Sequence, residues 1–290
     1  MIQEGPWKLH LMMVFAMVIW GLSWTNAKIL GSYADAPLIT FWRFVIASVC
    51  FFFIVKDRVN LRLSKKKLPI VVINSICMVF YNYFYFKGTQ VGLAGTGGVL
   101  VTTMNPILTV IVSSLFFQQA ITKKGILGLF LGFMAGSVIL RIWEINFFSF
   151  YNSGNLFFIL ASFSWAAVTI ISSKTKNEIP FLSYSFWTFS LSVLVSLPFV
   201  PINNLFLVFE FDLTFWVNLI FLSIFAMALG TSIYFYASTE LGPEKASSFI
   251  FLVPFMAILF SIYFLKEPLQ LSTVLGGIIG ILSVYLINAN

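Results

Sequence analysis

Charged residues are scarce in this sequence. Asp, Glu, Lys and Arg together make up 9% of its 290 residues, whereas a soluble globular domain carries about 25%. A chain with so little charge has too few polar groups for a water-facing surface, which excludes an ordinary soluble protein. Hydrophobic residues account for 60% of the chain and aromatic residues for 18%. This composition predicts a protein whose solvent is the lipid bilayer.

Residues for metal binding and nucleophilic catalysis are also few. The sequence has one histidine, His10, and two cysteines. An intramembrane enzyme needs a metal cluster or a Ser–His or Cys–His pair inside the bilayer, and His10 lies at the edge of the first apolar run. Cys50 and Cys77 fall inside apolar runs, which favours buried free thiols over a disulfide. We therefore expect no catalytic residue, no metal site, no cofactor and no enzymatic activity.

Long apolar runs fill most of the chain. A helix needs about 20 mostly apolar residues to cross a bilayer, and barrel strands are shorter and alternate in polarity. The first run, of roughly 22 residues, is too long for the core of a signal peptide. The sequence predicts an all-α membrane protein with ten transmembrane helices, at about 9–30, 37–55, 68–87, 95–117, 124–141, 154–173, 180–200, 213–237, 245–265 and 270–288.

The distribution of Lys and Arg predicts the topology. If the spans alternate in direction, loops on one side hold twelve of the 17 basic residues, and loops on the other side hold four. Short cytoplasmic loops carry the excess of Lys and Arg in polytopic proteins. We therefore expect both termini in the cytoplasm and Lys28 at the outer side. The basic loop at 56–67 is explained by this topology, so nucleic acid is not an expected partner.

The second half of the chain repeats the first. Prolines and glycines coincide at a shift of 148, and just upstream at a shift of 150: Pro106 with Pro254, Gly128 with Gly276, Gly132 with Gly280, and Gly92 with Gly242. Five spans per copy is an odd number, so the copies enter the bilayer in opposite directions. We expect a cytoplasmic N-terminus at 1–8 and two inverted five-helix repeats at 9–145 and 150–288. Inverted repeats are typical of transporters with a site near the membrane midplane.

Each half opens its fourth helix with small residues and reaches a proline in mid-membrane. Residues 91–106 read VGLAGTGGVLVTTMNP, and residues 241–254 read LGPEKASSFIFLVP. Proline lacks an N–H and clashes with the carbonyl four residues back, and a freed carbonyl at that depth must face protein or a wet cavity. We expect two broken helices beside the substrate pathway, with Pro106 and Pro254 as hinges. Kinking prolines without a ligand role are the alternative.

Several motifs occur in a fixed order along the chain. They are IWGLSWTNAK at 19–28, PLITFWRF at 37–44, the two stretches that lead to proline, and FLKEPLQLSTVLGGIIG at 264–280. With this set the chain resembles the ten-helix, EamA-type branch of the drug/metabolite transporter superfamily over residues 9–288. The resemblance implies export of amino acids, related metabolites or drugs across a bacterial inner membrane.

One charge lies well inside a predicted span. A central arginine costs about 2.5–3.5 kcal/mol on insertion scales, so Arg43 should face a cavity or a partner. We predict that Arg43 anchors a substrate carboxylate or the carbonyls of a broken helix. An arginine that snorkels or braces neighbouring helices is the alternative.

Two further charges are gate or coupling candidates. Lys28 ends the first helix, where it attracts anions to the outer mouth or snorkels. Glu267 is the best acidic candidate for coupling, and its alternatives are a helix cap or a pair with Lys266. The first repeat has Gln119 and Ala120 in the corresponding loop, so the resemblance does not extend to a pair of carboxylates there.

Polar and aromatic side chains recur at helical spacing on the first, third, sixth and eighth predicted helices. Tyr and Trp combine an apolar body with one polar group, which suits a cavity for amphipathic solutes. Packing between helices or an interfacial aromatic belt is the alternative. The predicted substrate-binding residues are Trp20, Ser23, Arg43, Tyr81, Tyr85, Thr102, Asn105, Trp165 and Tyr234.

These patterns predict a secondary transporter that exports small organic metabolites by alternating access around a central cavity. Its expected partners are a small-molecule substrate and the lipid bilayer, and the proton is a candidate coupling ion. No titratable acid or histidine lies at depth, so an uncoupled facilitator fits the sequence equally well. A channel-like pore and an intramembrane enzyme are weaker alternatives. A monomer and a homodimer fit the sequence equally well.

Overall fold

The computed structural model describes residues 6–57, 61, 63–117, 123–144, 153–176 and 178–288. Within these ranges the chain is helical and has no strand, which confirms the all-α prediction. The principal helices are α1 (Pro6–Leu30), α2 (Ala36–Val55), α3 (Leu68–Val91), α4 (Ala94–Phe117), α5 (Lys123–Leu140), α6 (Asn155–Ser173), α7 (Phe181–Ser196), α8 (Leu213–Glu240), α9 (243–265) and α10 (Leu271–Asn288).

Proline and glycine set several of the helix ends. α2 and α3 carry Pro37 and Pro69 in their first turns, where a missing N–H costs no hydrogen bond. α3 ends at Gly92 in extended conformation, and Gly154 has a φ of 77° just before α6. α1 begins at Pro6, so it includes part of the segment 1–8 that we expected to precede the first helix.

Seven described helices are long and apolar enough to cross a membrane: α1, α2, α3, α4, α6, α7 with its short extension, and α8. Large apolar side chains stand on the outside of the bundle, among them Phe53, Leu115 and Phe133, each at least 65% exposed. An apolar surface of this kind is stable against lipid and unstable against water. The chain is a multi-pass membrane protein. The count of ten spans stays a prediction.

The two halves of the chain pack against each other in matched pairs of helices. α5 packs on α10, α4 on α9 and α2 on α7, so three of the five helices in each half contact their counterparts in the other half. The other interfaces form equivalent pairs. When each helix is replaced by its counterpart in the other half, the interface of α3 with α6 becomes that of α8 with α1. In the same way, α4 with α6 becomes α9 with α1, and α3 with α7 becomes α8 with α2. The contact pattern has the symmetry that a two-fold repeat requires.

Small residues let α9 approach α1 and α4 closely. A Cβ added to Gly21 on α1 would lie 2.2 Å from the Cβ of Met256, and one added to Gly98 on α4 would lie 2.4 Å from the Cβ of Ala257. Contacts this short exclude any side chain larger than hydrogen. The small residues of the VGLAGTGG stretch therefore serve helix packing.

The predicted break at Pro106 is wrong, because α4 continues through Pro106 as one helix. Pro106 removes one backbone donor from the interior of α4, which frees the carbonyl of Thr102. Hydroxyl side chains and neighbouring helices can satisfy backbone groups freed by a proline, so the helix does not have to end.

The second half is interrupted before its proline. A helix at Pro243–Ser248 passes into a 3₁₀ turn at Phe249–Leu252, and Val253–Leu265 then continues as α-helix. Pro254 lies in the first turn of this last piece, where its missing N–H is tolerated. The break is thus four residues long and lies on the N-terminal side of Pro254.

Candidate functional site

A polar cavity lies at the centre of the bundle, enclosed by α1, α2, α3, α4, α6, α8 and α9. It offers about 30 Å³ to the centres of water-sized molecules, and one water needs about 10–15 Å³ on this measure. The cavity has room for about two waters and excludes a metabolite in this conformation. Its lining consists of Trp20, Ser23, Trp24, Arg43, Met78, Tyr81, Asn82, Tyr85, Val101, Thr102, Asn105, Trp165, Met227, Thr231, Ile250 and Val253.

Eight of the nine predicted substrate-binding residues line this cavity. The ninth, Tyr234, lies behind the wall, with its ring centroid 5.2 Å from that of Trp20 and 5.5 Å from that of Trp165. Residues from six helices, spread over more than 200 positions of sequence, are therefore neighbours in space. Their role in binding a substrate stays a prediction.

Arg43 is the one charged side chain in the lining, and it is only 5% exposed. Its Nη1 donates to Asn82 Oδ1 at 2.7 Å, and its Nε donates to the carbonyl of Leu222 at 3.3 Å. The guanidinium carbon lies 5.6 Å from the ring centroids of Tyr85 and Phe86. No carboxylate pairs with Arg43 among the described residues. Because a buried cation without a counterion is costly, the site favours a ligand that brings a negative charge.

The rings of Trp20, Tyr81 and Trp165 form one wall of the cavity, and the ring of Tyr234 packs behind them. The ring of Trp165 lies 4.6 Å from Tyr81 and 5.1 Å from Trp20. The Tyr234 hydroxyl lies 2.9 Å from the Thr169 hydroxyl, which fixes the ring behind Trp165. Tilted and edge-on contacts at these distances are favourable, so the four rings hold each other in place. The wall presents a rigid, largely apolar face to the cavity.

Asn105 adds an unused donor to the cavity. The residue is fully buried on α4, and its Nδ2 has no hydrogen-bond partner among the described residues. Its Oδ1 lies 3.4 Å from the Thr109 hydroxyl. A buried amide without an acceptor costs about 1–3 kcal/mol, so an acceptor on a ligand or an ordered water is expected beside it. Arg43 and Asn105 both present N–H groups, which suits a ligand with carboxylate or carbonyl oxygens.

α8 widens into a π-helix over Phe221–Thr231 where it meets the site. Two carbonyls of this π segment accept side-chain donors, Leu222 from Arg43 and Ala226 from the Trp20 indole at 2.9 Å. Gly230 leaves room for that indole, because a Cβ there would lie 2.8 Å from Trp20 Nε1. π segments are rare and occur often at functional sites.

Sequence reasoning missed the role of the π segment and of Asn82. Asn82 holds the Arg43 guanidinium, and its own Nδ2 donates to the carbonyl of Met78. The available signal was its position three residues before Tyr85 on the polar stripe of α3. The π-helix has no such signal, since its sequence, FLSIFAMALGT, reads as an ordinary apolar helix.

Lys28 and Glu267 hold the connection between α3 and α4, at what we call the Lys28 end of the bundle. Lys28 Nζ donates to the carbonyl of Gly92 at 2.8 Å. The Glu267 carboxylate accepts from the N–H groups of Ala94 at 2.8 Å and Gly95 at 3.0 Å. A carboxylate at this position satisfies unpaired N–H groups and interacts favourably with the helix dipole. Glu267 therefore caps α4, as one of its predicted alternatives required.

Two other contacts complete the Lys28 end. Lys266 lies over the Tyr263 ring at 5.4 Å, and no ion pair with Glu267 occurs within the described part of the chain. The Tyr33 hydroxyl donates to Asp212 at 3.0 Å. Loss of solvation and the Asp212 hydrogen bond raise the pKa of Tyr33, so the hydroxyl stays protonated and keeps donating. Gln119 and Ala120 of the other repeat lie outside the described residues.

Equivalent lysines make equivalent contacts at the two ends. Lys28 also lies 3.4 Å from the carbonyl of Gln90. Lys176, its counterpart at a shift of 148, lies 3.5 Å from the carbonyl of Glu240, the counterpart of Gln90 at a shift of 150. Lys176 also pairs with the Glu240 carboxylate at 3.7 Å. We call this second region the Lys176 end.

Tryptophans at the seventh residue of α2 and at the seventh residue of α7 hold the long connections of the opposite half. The Trp42 indole at the start of α2 donates to the carbonyl of Leu205, between α7 and α8, at 2.7 Å. The Trp187 indole near the start of α7 donates to the carbonyl of Leu61, between α2 and α3, also at 2.7 Å. The first bond lies at the Lys28 end and the second at the Lys176 end. Each half thus holds a connection of the other half, and the two bonds lie at opposite ends of the bundle.

Apolar spans around a small central cavity that contains one buried cation define a helical, multi-pass membrane protein. The sequence profile of the EamA-like transporter family matches residues 7–141 and, a second time, residues 152–289. The chain belongs to the EamA-like transporter family, which confirms the resemblance.

Similar proteins occur in bacteria, archaea and plants. The uncharacterized transporter YvbV of Bacillus subtilis is 26% identical over 287 residues, covering 96% of this chain and 90% of that protein. An uncharacterized transporter of Archaeoglobus fulgidus is 25% identical and covers 97% of this chain and 98% of its own length. The chloroplastic WAT1-related protein At3g02690 of Arabidopsis thaliana is 28% identical over 221 residues, 71% of this chain and 51% of that protein.

A solved crystal structure has the same fold. It superposes with a TM-score of 0.66 over 98% of this chain and 97% of the other chain, at 18% identity. The family and the names of the relatives indicate a membrane transporter rather than an enzyme.

Proposed function

We propose that this protein is a secondary transporter that exports small organic metabolites bearing a carboxylate, such as amino acids or related compounds, across a bacterial inner membrane. The observation that carries the proposal is Arg43, a buried cation without a carboxylate partner among the described residues, in the lining of the central cavity. The substrate carboxylate binds the Arg43 guanidinium and accepts from Asn105 Nδ2. The remainder of the substrate lies against the wall of Trp20, Tyr81 and Trp165.

The two five-helix repeats, 9–145 and 150–288, alternate access to this cavity. Three observations support an inverted arrangement: the exchange symmetry of the helix interfaces, the lysine contacts at shifts of 148 and 150, and the reciprocal tryptophan bonds. The double match of the family profile agrees with them. In an inverted pair, the halves exchange conformations and thereby exchange which end is open.

In the proposed cycle, this conformation is the occluded one. The cavity has room for about two waters, and contacts hold the connections at both ends. Opening the Lys28 end requires release of the α3–α4 connection by Lys28 and Glu267. Opening the Lys176 end requires the corresponding release by Lys176. In the proposed topology both termini are cytoplasmic, and the Lys28 end faces outward.

An uncoupled facilitator is the second candidate for the transport mode. The cavity lining contains no Asp, Glu or His, so no proton acceptor of ordinary pKa faces the substrate. Glu267 remains the candidate for proton coupling, and it acts at the Lys28 end rather than on the substrate. Exchange in proteoliposomes with and without a pH gradient separates the two modes, because only a coupled carrier concentrates substrate when the gradient is applied.

The test of the anchor is counterflow of labelled amino acids and of lipophilic cations into proteoliposomes. We expect saturable, trans-stimulated uptake of a carboxylate-bearing solute and no uptake of the cations. Arg43→Gln should lower this uptake at least tenfold, because a charged hydrogen bond contributes about 1.5–3 kcal/mol. Arg141→Gln is the matched control, since Arg141 is half-exposed and pairs with Glu144 on the surface. Undiminished uptake by Arg43→Gln would remove the anchor.

A further inference from the structure

A second cavity system lies at the Lys28 end, separate from the central cavity. A polar pocket of about 530 Å³ is bounded by the α1–α2 connection, the end of α3 and the α7–α8 connection. An apolar groove of about 390 Å³ runs between α2, α3 and the end of α7. The two cavities share the lining residues Pro37, Tyr83 and Phe199, so they form one elongated site with a polar and an apolar part.

The polar pocket is lined by one anion and one cation. Asp35 makes no side-chain bond to the helix it precedes, and Lys87 makes no ion pair or hydrogen bond within the described ranges of the chain. The first turn of α2 also borders the pocket. Pro37 has no N–H and the Ile39 N–H donates to the Asp35 carbonyl, so the N–H groups of Ala36 and Leu38 are the donors that this turn offers to an anion. A pocket with two unpaired, opposite charges matches a zwitterion, in which a phosphate faces Lys87 and an ammonium faces Asp35.

The apolar groove extends from this pocket in the direction of the bilayer. Phe80 lies seven residues before Lys87 on α3, about 10 Å along the helix axis, while half of the hydrocarbon core is about 15 Å thick. Phe80 and Phe199 are 44% and 55% exposed, so the groove is open to lipid. An acyl chain of a lipid in the adjacent leaflet fits the depth, the polarity and the open side of this groove.

One polar atom lies in the wall of the groove, near the end that the groove shares with the charged pocket. Thr40 lines the groove and is 1% exposed, and its hydroxyl has no partner within the described part of the chain. It lies three residues after Pro37, about 4.5 Å further along α2. The ester carbonyls of a phospholipid lie between its phosphate and its chains, so one of them is an acceptor for Thr40.

We propose that this site binds one phospholipid with a zwitterionic head, phosphatidylethanolamine. The phosphate lies at Lys87 and the first turn of α2, the ammonium at Asp35, an ester carbonyl at Thr40, and one chain in the groove along α3. The lipid bridges α2, α3 and α7, which belong to both halves of the chain. This inference does not depend on the substrate of the central cavity.

The headgroup test is retention of added lipids by the purified full chain in native mass spectrometry. The wild-type chain should retain dioleoyl phosphatidylethanolamine in preference to the phosphatidylglycerol with the same chains. Lys87→Gln should weaken retention of phosphatidylethanolamine about five-fold, because a basic residue at the headgroup level contributes about 1 kcal/mol. Asp35→Asn should weaken the retention of phosphatidylethanolamine by a similar factor and strengthen the retention of phosphatidylglycerol. Lys66→Gln and Glu210→Gln, both exposed and outside this site, are the matched controls.

The groove test uses the same measurement. Thr40→Val, which keeps the side-chain shape, should weaken retention of the lipid, and Val79→Trp, which fills the groove, should abolish it. Glycerophosphoethanolamine, the head without chains, should bind at least tenfold more weakly than the lipid. Equal binding of this head would show a site for small zwitterions and overturn the lipid assignment. Equal retention of both lipids, or retention unchanged in Lys87→Gln and Asp35→Asn, would also overturn it.

Discussion

Arg43 gives the central cavity its charge, and a small number of neighbours determine where that charge lies. Asn82 and the carbonyl of Leu222 fix the guanidinium, so it cannot swing away from the cavity without losing both bonds. Trp20 is fixed by Ala226 in the same π segment. The cation and the aromatic wall are therefore both attached to α8. A movement of α8 moves both parts of the site together.

The first prediction concerns the space beside Trp20. Gly230→Ala places a Cβ 2.8 Å from Trp20 Nε1 and forces the indole away from the carbonyl of Ala226. We expect the free energy of unfolding, measured by thermal denaturation in detergent, to fall by about 1–3 kcal/mol. The rate of substrate exchange in proteoliposomes should fall as well. Gly136→Ala is the control, because a Cβ there has no neighbour within 4 Å and alanine is the better helix former. Equal stability of the two variants would contradict this assignment.

The second prediction concerns the cap of α4. Glu267→Gln keeps one acceptor and loses the charge, so one of the N–H groups of Ala94 and Gly95 loses its partner. Loss of this hydrogen bond costs about 1 kcal/mol, and it destabilises only the conformation in which the Lys28 end is closed. A cysteine at Thr96 should then react about five-fold faster with an impermeant maleimide. Glu144→Gln, which removes a surface carboxylate, should leave the rate unchanged; an equal increase there would show a general loosening.

At the scale of elements, the fourth helix of each half has a different construction. α4 runs through Pro106 without interruption, whereas the second half places a four-residue 3₁₀ turn before Pro254. The sequence pattern indicated two equivalent breaks, and this was wrong for the first. A proline removes one hydrogen bond, and the surroundings decide whether the helix bends or ends. Those surroundings come from other helices, so local sequence does not contain them.

The third prediction separates the two prolines. Pro106→Ala adds an N–H four residues after the Thr102 carbonyl and should stiffen α4, slowing exchange about five-fold for one hydrogen bond of about 1 kcal/mol. Pro254→Ala lies in a first turn and adds no such bond, so its effect on exchange should be smaller. Initial rates of counterflow at matched protein content measure both. Equal slowing by the two variants would support the symmetric hinges that the sequence predicted.

Much of the site could be predicted from the sequence. Trp20, Tyr81 and Trp165 each belong to a stripe of polar and aromatic residues at helical spacing on their own helix. Arg43 is a charged residue in the middle of an apolar run. Each of these patterns is local to one helix, so the sequence alone reveals it. The π-helix of α8 and the bonds of Trp42 and Trp187 were not predicted. These features depend on which carbonyl of a distant connection meets an indole, and that is set by packing between the halves.

At the scale of the whole molecule, the proposed architecture is two copies of one bundle that close opposite ends. The Lys28 end is held by Trp42 and by the cap of α4, and the Lys176 end is held by Trp187. Each of these bonds joins one half to the other. Alternating access requires that the two sets of bonds break in turn, because a conformation with both sets broken would leak.

The most direct measurement of this account is the accessibility of one reporter in the cavity from each side. The reporter is the cysteine of Met227→Cys, because Met227 lines the cavity. The substitution is made in a chain from which Cys50 and Cys77 have been removed, and the protein is reconstituted in one orientation. Trp42→Phe removes a hydrogen bond of about 1 kcal/mol at one end, and Trp187→Phe removes its equivalent at the other. We predict that impermeant maleimide labels the reporter about five-fold faster from the Lys28 side in Trp42→Phe, and about five-fold faster from the opposite side in Trp187→Phe. Faster labelling from the same side in both variants, or no change in either, would contradict two inverted halves around a shared cavity.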